Sequence, residues 1–125
     1  MDPVLKKMVY KGQSPVLLMH PPAEFGKVAA SFSDKPHSTP KASYAFVLAF
    51  CKSMSEAETI AGKVAKSLEE KGVFWLAYPK GTSKKYKNMD INRDTGNAMM
   101  LKRGFEGVSM VSIDEDWSAM RFKRL

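Results

Sequence analysis

"SYAFVLAFCKSMSEAETIAGKVAKSLEEKGVFWLAYPK", residues 43–80, holds two continuous apolar runs around one amphipathic segment. The runs "SYAFVLAFC" (43–51) and "VFWLAY" (73–78) lack the polar/apolar alternation of a half-solvated strand. Continuous runs of this length mark strands buried on both faces, as in a parallel sheet covered by helices. Between them Ile60, Val64 and Leu68 recur every four residues, with Ala57, Ala61 and Ala65 beside them. That spacing draws one apolar stripe along a helix over 55–72. Ser55 and Glu58 have the S-x-x-E spacing of a capping box, Lys71 suits the last turn and Gly72 the C-terminal cap. A strand, a helix and a second buried strand in that order form a right-handed crossover between parallel neighbours.

The same reading extends in both directions. "PVLLM" (15–19) is an earlier buried strand, and "GVSMVSID" (107–114) a later one with Val108, Met110 and Val111 apolar. A short helix is expected over 22–32, with Phe25, Val28 and Phe32 inward, and another over 90–104, with Asp90 as its cap and Gly104 as its end. Of the neighbours Met99 and Met100, at least one should pack in the core. "SDKPHSTPKAS" (33–43) reads as a loop. "WSAMRFKRL" (117–125) alternates, which puts Trp117, Ala119 and Arg121 on one face and Ser118, Met120 and Phe122 on the other. Only Glu115 and Asp116 separate it from the strand before it, so the two form an antiparallel hairpin. The expected fold is a single α/β, Rossmann-like domain over residues 1–125: a mostly parallel sheet of about five strands, helices on both faces, and a C-terminal antiparallel hairpin. Residues 1–14 are expected to form a poorly ordered arm.

The bulk numbers bound the function. With 125 residues, 44% of them hydrophobic and 26% charged, the chain can bury a core of its own. No apolar run is long enough to cross a bilayer, and the N-terminus lacks the apolar stretch and cleavage site of a secretory leader, so a cytoplasmic, membrane-free protein is expected. The lone Cys51 excludes an internal disulfide and fits a reducing compartment. The net charge is +7. Residues 1–70 hold nine Lys against seven acidic residues, which gives +2; residues 71–125 hold seven Lys and four Arg against six, which gives +5. A basic excess on one half suits anionic partners, and it also serves solubility.

An open parallel sheet binds ligands beyond the carboxyl ends of its strands. This chain puts His20-Pro21, Cys51-Lys52-Ser53, Pro79-Lys80, Asp114 and the turn into Trp117 there. One reading makes Lys80, with Lys84 and His20, the holder of a phosphate or carboxylate, and Trp117 an apolar wall. The other makes the lysines a solvated loop, pairs Lys80 with Asp114 or a helix end, and leaves Trp117 to anchor the hairpin. "INRDTGN" (91–97) offers Asn92 and Asp94 either to a ligand or to a helix start. "KGTSKKYK" (80–87) interleaves a tyrosine with lysines, a composition that suits sequence-nonspecific nucleic-acid binding. It lacks the spacing of a phosphate-binding loop. Cys51 with His20 or His37 would make a nucleophile, against the buried inert thiol that "VLAFC" implies. No spacing of His and Cys defines a metal site, and no catalytic motif or cofactor signature stands out.

Two resemblances add to this reading. A strand end of the form W-x-x-x-P-K (Trp75, Pro79, Lys80) and a hairpin of the form D-x-x-W-S (Asp114, Trp117, Ser118), with Gly104 and Gly107 between them, resemble a family of small uncharacterised bacterial proteins, a domain of unknown function. That resemblance is most specific over 73–122 and implies no activity. The layout of "SYAFVLAF", capped helix, "KGVFWLAYP", helix, "RGFEGVSMVSID" and "WSAMRFKR" looks like the second half of a class I methyltransferase. Those enzymes bind S-adenosylmethionine on a glycine-rich loop after their first strand. Here the corresponding turn is "LLMHPPAEFGK", without G-x-G, and Pro21 and Pro22 have no N–H to offer an anion. The expectation is a small α/β protein that binds an anionic ligand or partner at the carboxyl-end rim. Nucleic-acid binding and a methyltransferase-like scaffold acting through protein contacts are the alternatives.

Overall fold

Strand β1 (Val16–Met19), strand β2 (Tyr44–Phe50) and strand β3 (Leu68–Pro79) pair in parallel, with Leu18 opposite Leu48 and Leu48 opposite Trp75. The computed structural model describes residues 1–125. Strand β4 (Phe105–Ser112) and strand β5 (Trp117–Arg124) form the expected hairpin, and β5 inserts next to β3, so the sheet order is β1-β2-β3-β5-β4. The sheet is thus less parallel than the apolar runs suggested: two of its pairings are parallel, and both pairings of β5 are antiparallel. The short link makes β4 and β5 antiparallel, and the insertion of β5 between β3 and β4 sets its second antiparallel pairing against β3.

Alternate residues of the central strands face two separate cores. Val47, Ala49, Phe74, Leu76, Met120 and Phe122 belong to one, under helix α3 (Met54–Ser67) and helix α4 (Arg93–Lys102). Phe46, Leu48, Trp75, Ala77, Trp117 and Ala119 belong to the other. That second face is covered by residues from the N-terminal segment, where helix α1 (Pro3–Lys7) brings Leu5, and by the helical turns Ala23–Phe25 and α2 (Gly26–Ala29). Helices therefore lie on both faces, and Met99 and Met100 are both buried.

Several local expectations are corrected. Residues 1–14 are not a loose arm: Leu5 and Met8 are fully buried, Tyr10 nearly so, and the Trp75 indole Nε1–H donates to the Met8 carbonyl at 2.8 Å. Helix α3 is capped by Ser53, two residues before the expected cap Ser55. The Ser53 hydroxyl accepts from the Glu56 N–H, and the Asp90 carboxylate, expected to cap α4, accepts from the Met54 N–H. Asn92 caps α4 instead, in a reciprocal box with Thr95. The expected 22–32 helix reduces to two short turns, with Phe25 and Phe32 buried and Val28 only half-buried.

Helix α3 ends at Ser67, not at Gly72. Leu68 is already extended and buried, and pairs with Tyr44. The register then jumps, because Phe46 pairs with Val73. Gly72 serves this irregularity: a Cβ there would lie 2.6 Å from Leu68 Cδ1 and 3.0 Å from the carbonyl oxygens of Glu69 and Tyr44. The absent side chain lets two backbones approach, which is a glycine's other use in a strand.

Candidate functional site

Because β5 runs against β3 and β4 runs against β5, the ends of β1, β2, β3 and β4 and the start of β5 share one edge. His20, Cys51, Lys80, Asp114 and Trp117 all lie on it, as the strand ends imply. They do not converge on one cavity. Besides a recess between the end of β1 and helix α3, lined by His20, Ser55, Glu56, Thr59 and Lys63 among others, three depressions divide the rim.

The first is a small recess of about 160 Å³ at the ends of β1 and β2, lined by His20, Pro21, Pro22, Phe50, Cys51, Lys52, Glu56 and Trp117. His20 is exposed and turns the chain with a left-handed backbone, φ 53. This conformation is uncommon outside glycine. Cys51 is buried, and burial, with Glu56 and Asp90 adding their charges, pushes its thiol up to about 12. It is a poor nucleophile in that state. His37 does not reach it: its Nδ1 pairs with the Tyr44 hydroxyl at 2.7 Å, and its backbone bridges Leu17 on the far side of β1, at the level of Val47, four residues before Cys51.

The second depression, about 430 Å³, opens where β3 ends. Lys80, Ser83, Tyr86, Lys87, Asn88 and Asn92 supply its polar lining, and no acidic residue lines it. The Lys80 backbone N–H donates to the Asp116 carbonyl at 2.8 Å, which fixes the start of the loop. Its ammonium donates to the Ser112 hydroxyl at 2.6 Å, not to Asp114. Lys7, from the N-terminal helix, donates to the Ser112 carbonyl at 2.6 Å. Two ammonium groups thus meet at one serine without a carboxylate partner, and nothing in the local sequence of either points to the other.

The third, about 460 Å³, is lined by Thr82, Lys84, Lys85, Glu115 and Asp116. Lys84 therefore faces carboxylates as well as cations.

Trp117 is 1% exposed, so its ring is core for most of its surface. It packs edge-on to Phe50 at 5.1 Å and against Tyr86 at 5.0 Å between ring centres. Its indole Nε1–H donates to Glu24 Oε2 at 2.9 Å, the same oxygen that accepts from the Tyr86 hydroxyl at 2.6 Å. Lys85 donates to the other oxygen at 3.1 Å. The Asp114 carboxylate accepts from the backbone N–H groups of Asp116 and Trp117, closing the hairpin turn. Asp114 and Trp117 are therefore the framework of the rim. Glu24, which ties the loop to it, follows two prolines and gave no signal in the sequence.

Partial burial raises the Glu24 pKa, but the bonds from Tyr86, Trp117, its own backbone and Lys85 outweigh it and bring it down from 4.5 to about 2. The native state therefore binds fewer protons than the unfolded chain between those values. The stabilisation is complete above about 4.5 and is lost as the pH falls toward 2. Glu24→Gln is expected to cost about 1 kcal/mol near neutral pH, a charge-assisted bond discounted for solvent screening. It should also flatten the stability profile below pH 4.5. Urea midpoints measured across the acid range check both; an unchanged acid limb would show that the carboxylate is not held this way.

No family model and no curated protein matches this chain. The resemblance to the small bacterial family rests on the strand-end and hairpin motifs alone. The fold does have neighbours among solved structures, several of them methyltransferases. The chain is similar to LepI, solved in complex with SAM, at 12% identity and a TM-score of 0.56, over 98% of this chain and 39% of that one. It is similar to the CcbJ methyltransferase from Streptomyces caelestis at 10% identity and a TM-score of 0.61, over 97% of this chain and 87% of that one. It is similar to the glycopeptide N-methyltransferase MtfA at 10% identity and a TM-score of 0.62, over 96% and 87%. The scaffold is thus methyltransferase-like. Identities this low speak to fold and leave function to the site.

Proposed function

We propose that the protein is a binding module on a methyltransferase-like scaffold, and that it takes a small oxyanion, a phosphate or a carboxylate, where β3 ends. The observation that carries this is the composition of the second depression: Lys80 and Lys87 line it with two carboxamides, Asn88 and Asn92, and no acidic side chain. Neither lysine has an ion-pair partner in the chain. In this reading Asp114 and Trp117 hold the loop, and His20 and Lys84 line the neighbouring depressions. Methyl transfer is not favoured. The turn after β1 runs His20-Pro21-Pro22 and offers few N–H groups, and the recess beside it, at about 160 Å³, falls below the roughly 300 Å³ of an ordinary cofactor pocket.

Thermal unfolding against inorganic phosphate, sugar phosphates, nucleotides, carboxylates, S-adenosylmethionine and a short DNA, each at two salt concentrations, tests the proposal. A ligand at a hundred times its Kd should stabilise the fold by about 2.7 kcal/mol. The expected result is saturable stabilisation by one small oxyanion, weakened at least tenfold in both Lys80→Ala and Lys87→Ala. Stabilisation by DNA alone, erased by salt, would replace this reading with nucleic-acid binding. Stabilisation by S-adenosylmethionine would restore the enzyme reading, and no response to any probe would overturn the site.

A further inference from the structure

At the opposite end of the sheet lies a second basic concavity. It has a volume of about 340 Å³ and is lined by Lys71, Gly72, Val73, Val108, Arg121, Phe122 and Lys123. Arg121 is four residues along β5 from Trp117, which puts it about 13 Å from the rim. It belongs to none of the three depressions described above.

Arg121 is the unusual residue here. It sits in β5 opposite Trp75 of β3 and Ser109 of β4, so its side chain leaves a central strand of the sheet. Its Nε is shielded from solvent and has no hydrogen-bond partner in the chain. No carboxylate pairs with its guanidinium. A shielded donor without an acceptor costs about 1–3 kcal/mol, and more when the group is charged. Elsewhere the fold spends its arginine with care: Arg124, three residues on, donates to the carbonyls of Ala65 and Leu68. Lys71 also lacks an acidic partner, and Lys123 has only Glu106, at 3.8 Å. Three cations thus line the concavity, and no carboxylate does. The rest of the lining is apolar, with Val108 41% exposed at the sheet edge.

We infer that this concavity is a second ligand site, for an oxyanion carried on a compact apolar body. The guanidinium fork receives the oxyanion in a bidentate contact, the geometry that planar carboxylates and phosphates share. Lys71 and Lys123 neutralise the remaining charge, and Val73 and Val108 receive the apolar part. The terminal nitrogens of the guanidinium make this contact, because the Nε is shielded from solvent and from any ligand in the concavity. The inference does not rest on the rim reading, because the two sites share no residue.

Phenyl phosphate and benzoate offer the same ring with the two candidate oxyanions, and inorganic phosphate offers the anion alone. Titrating each into the full-length protein while following the Arg121 Nε–Hε resonance reads the site directly. The expected result is a saturable shift of that resonance with phenyl phosphate or benzoate, at least tenfold tighter than with inorganic phosphate. Preference for the phosphate ester assigns the phosphate class, and preference for benzoate the carboxylate class. Arg121→Gln should weaken binding at least tenfold and Lys71→Gln several-fold, the second being a surface change that leaves the sheet intact. Lys80→Ala should leave this affinity unchanged, which separates the site from the rim. Lack of saturation with every probe, or affinities unchanged in both Arg121→Gln and Lys71→Gln, would overturn the inference.

Discussion

Trp75→Ala is expected to lower folding stability by about 3–5 kcal/mol, a large part of what a domain of this size possesses. The side chain is 1% exposed and lies at the centre of the face that includes Leu5, Met8, Phe46 and Trp117. Truncation removes the transfer energy of the indole and leaves a cavity that the neighbouring strands, fixed by ladders on both sides, cannot close. The polar contribution separates from the apolar one. Trp75→Phe keeps most of the ring volume but leaves the Met8 carbonyl without its donor, at a cost of about 1–3 kcal/mol. Urea unfolding should show a lower midpoint at an unchanged slope for both variants. Amide exchange adds a local reading: in Trp75→Phe, residues of the N-terminal segment should lose protection before those of β2 or α3. If protection falls evenly, the indole bond does not anchor that segment.

The parts that were legible in the sequence are those where one pattern has one physical meaning. Residues 44–50 and 73–78 carry no charged side chain because both of their faces are buried, and they became β2 and the core of β3. The alternation of 117–122 assigned Trp117 and Ala119 to one core and Met120 and Phe122 to the other. The misreadings fall where two patterns fit equally. Ser53-x-x-Glu56 and Ser55-x-x-Glu58 both suit a helix start, and Asp90 decides between them from another part of the chain. Leu68 continues the stripe of α3 by spacing, yet it is extended and pairs with Tyr44. At the rim, strand ends fixed which residues share the edge. The partners of long side chains were not legible: Lys80 takes Ser112, Lys85 takes Glu24, and Trp117 takes Glu24 from far along the chain. Charge counting shows that the C-terminal half is basic, but not which cations are left without partners.

Trp117→Ala should carry a similar cost, about 3–5 kcal/mol, with a different signature. Trp75 serves packing and the N-terminal anchor, whereas Trp117 joins the hairpin, Phe50, Tyr86 and the Glu24 carboxylate. Its loss removes one of the donors that lower the Glu24 pKa and leaves Tyr86 and Lys85 to hold the charge. The folded-state pKa of Glu24 then moves back toward 4.5, so the variant is less stable at neutral pH, and its stability falls less steeply as the pH drops toward 2. Combining Trp117→Phe with Glu24→Gln isolates the indole–carboxylate bond from the lost volume. Residues in direct contact should show a coupling of about 0.5–3 kcal/mol. Additive effects would mean that the bond contributes nothing and that Trp117 acts through packing alone. A measurable coupling would make the Glu24 cluster the device that sets the loop 80–88 in place, and with it the positions of Lys80 and Lys87. In that case oxyanion affinity at the rim should fall in Glu24→Gln as well, although Glu24 does not line that depression.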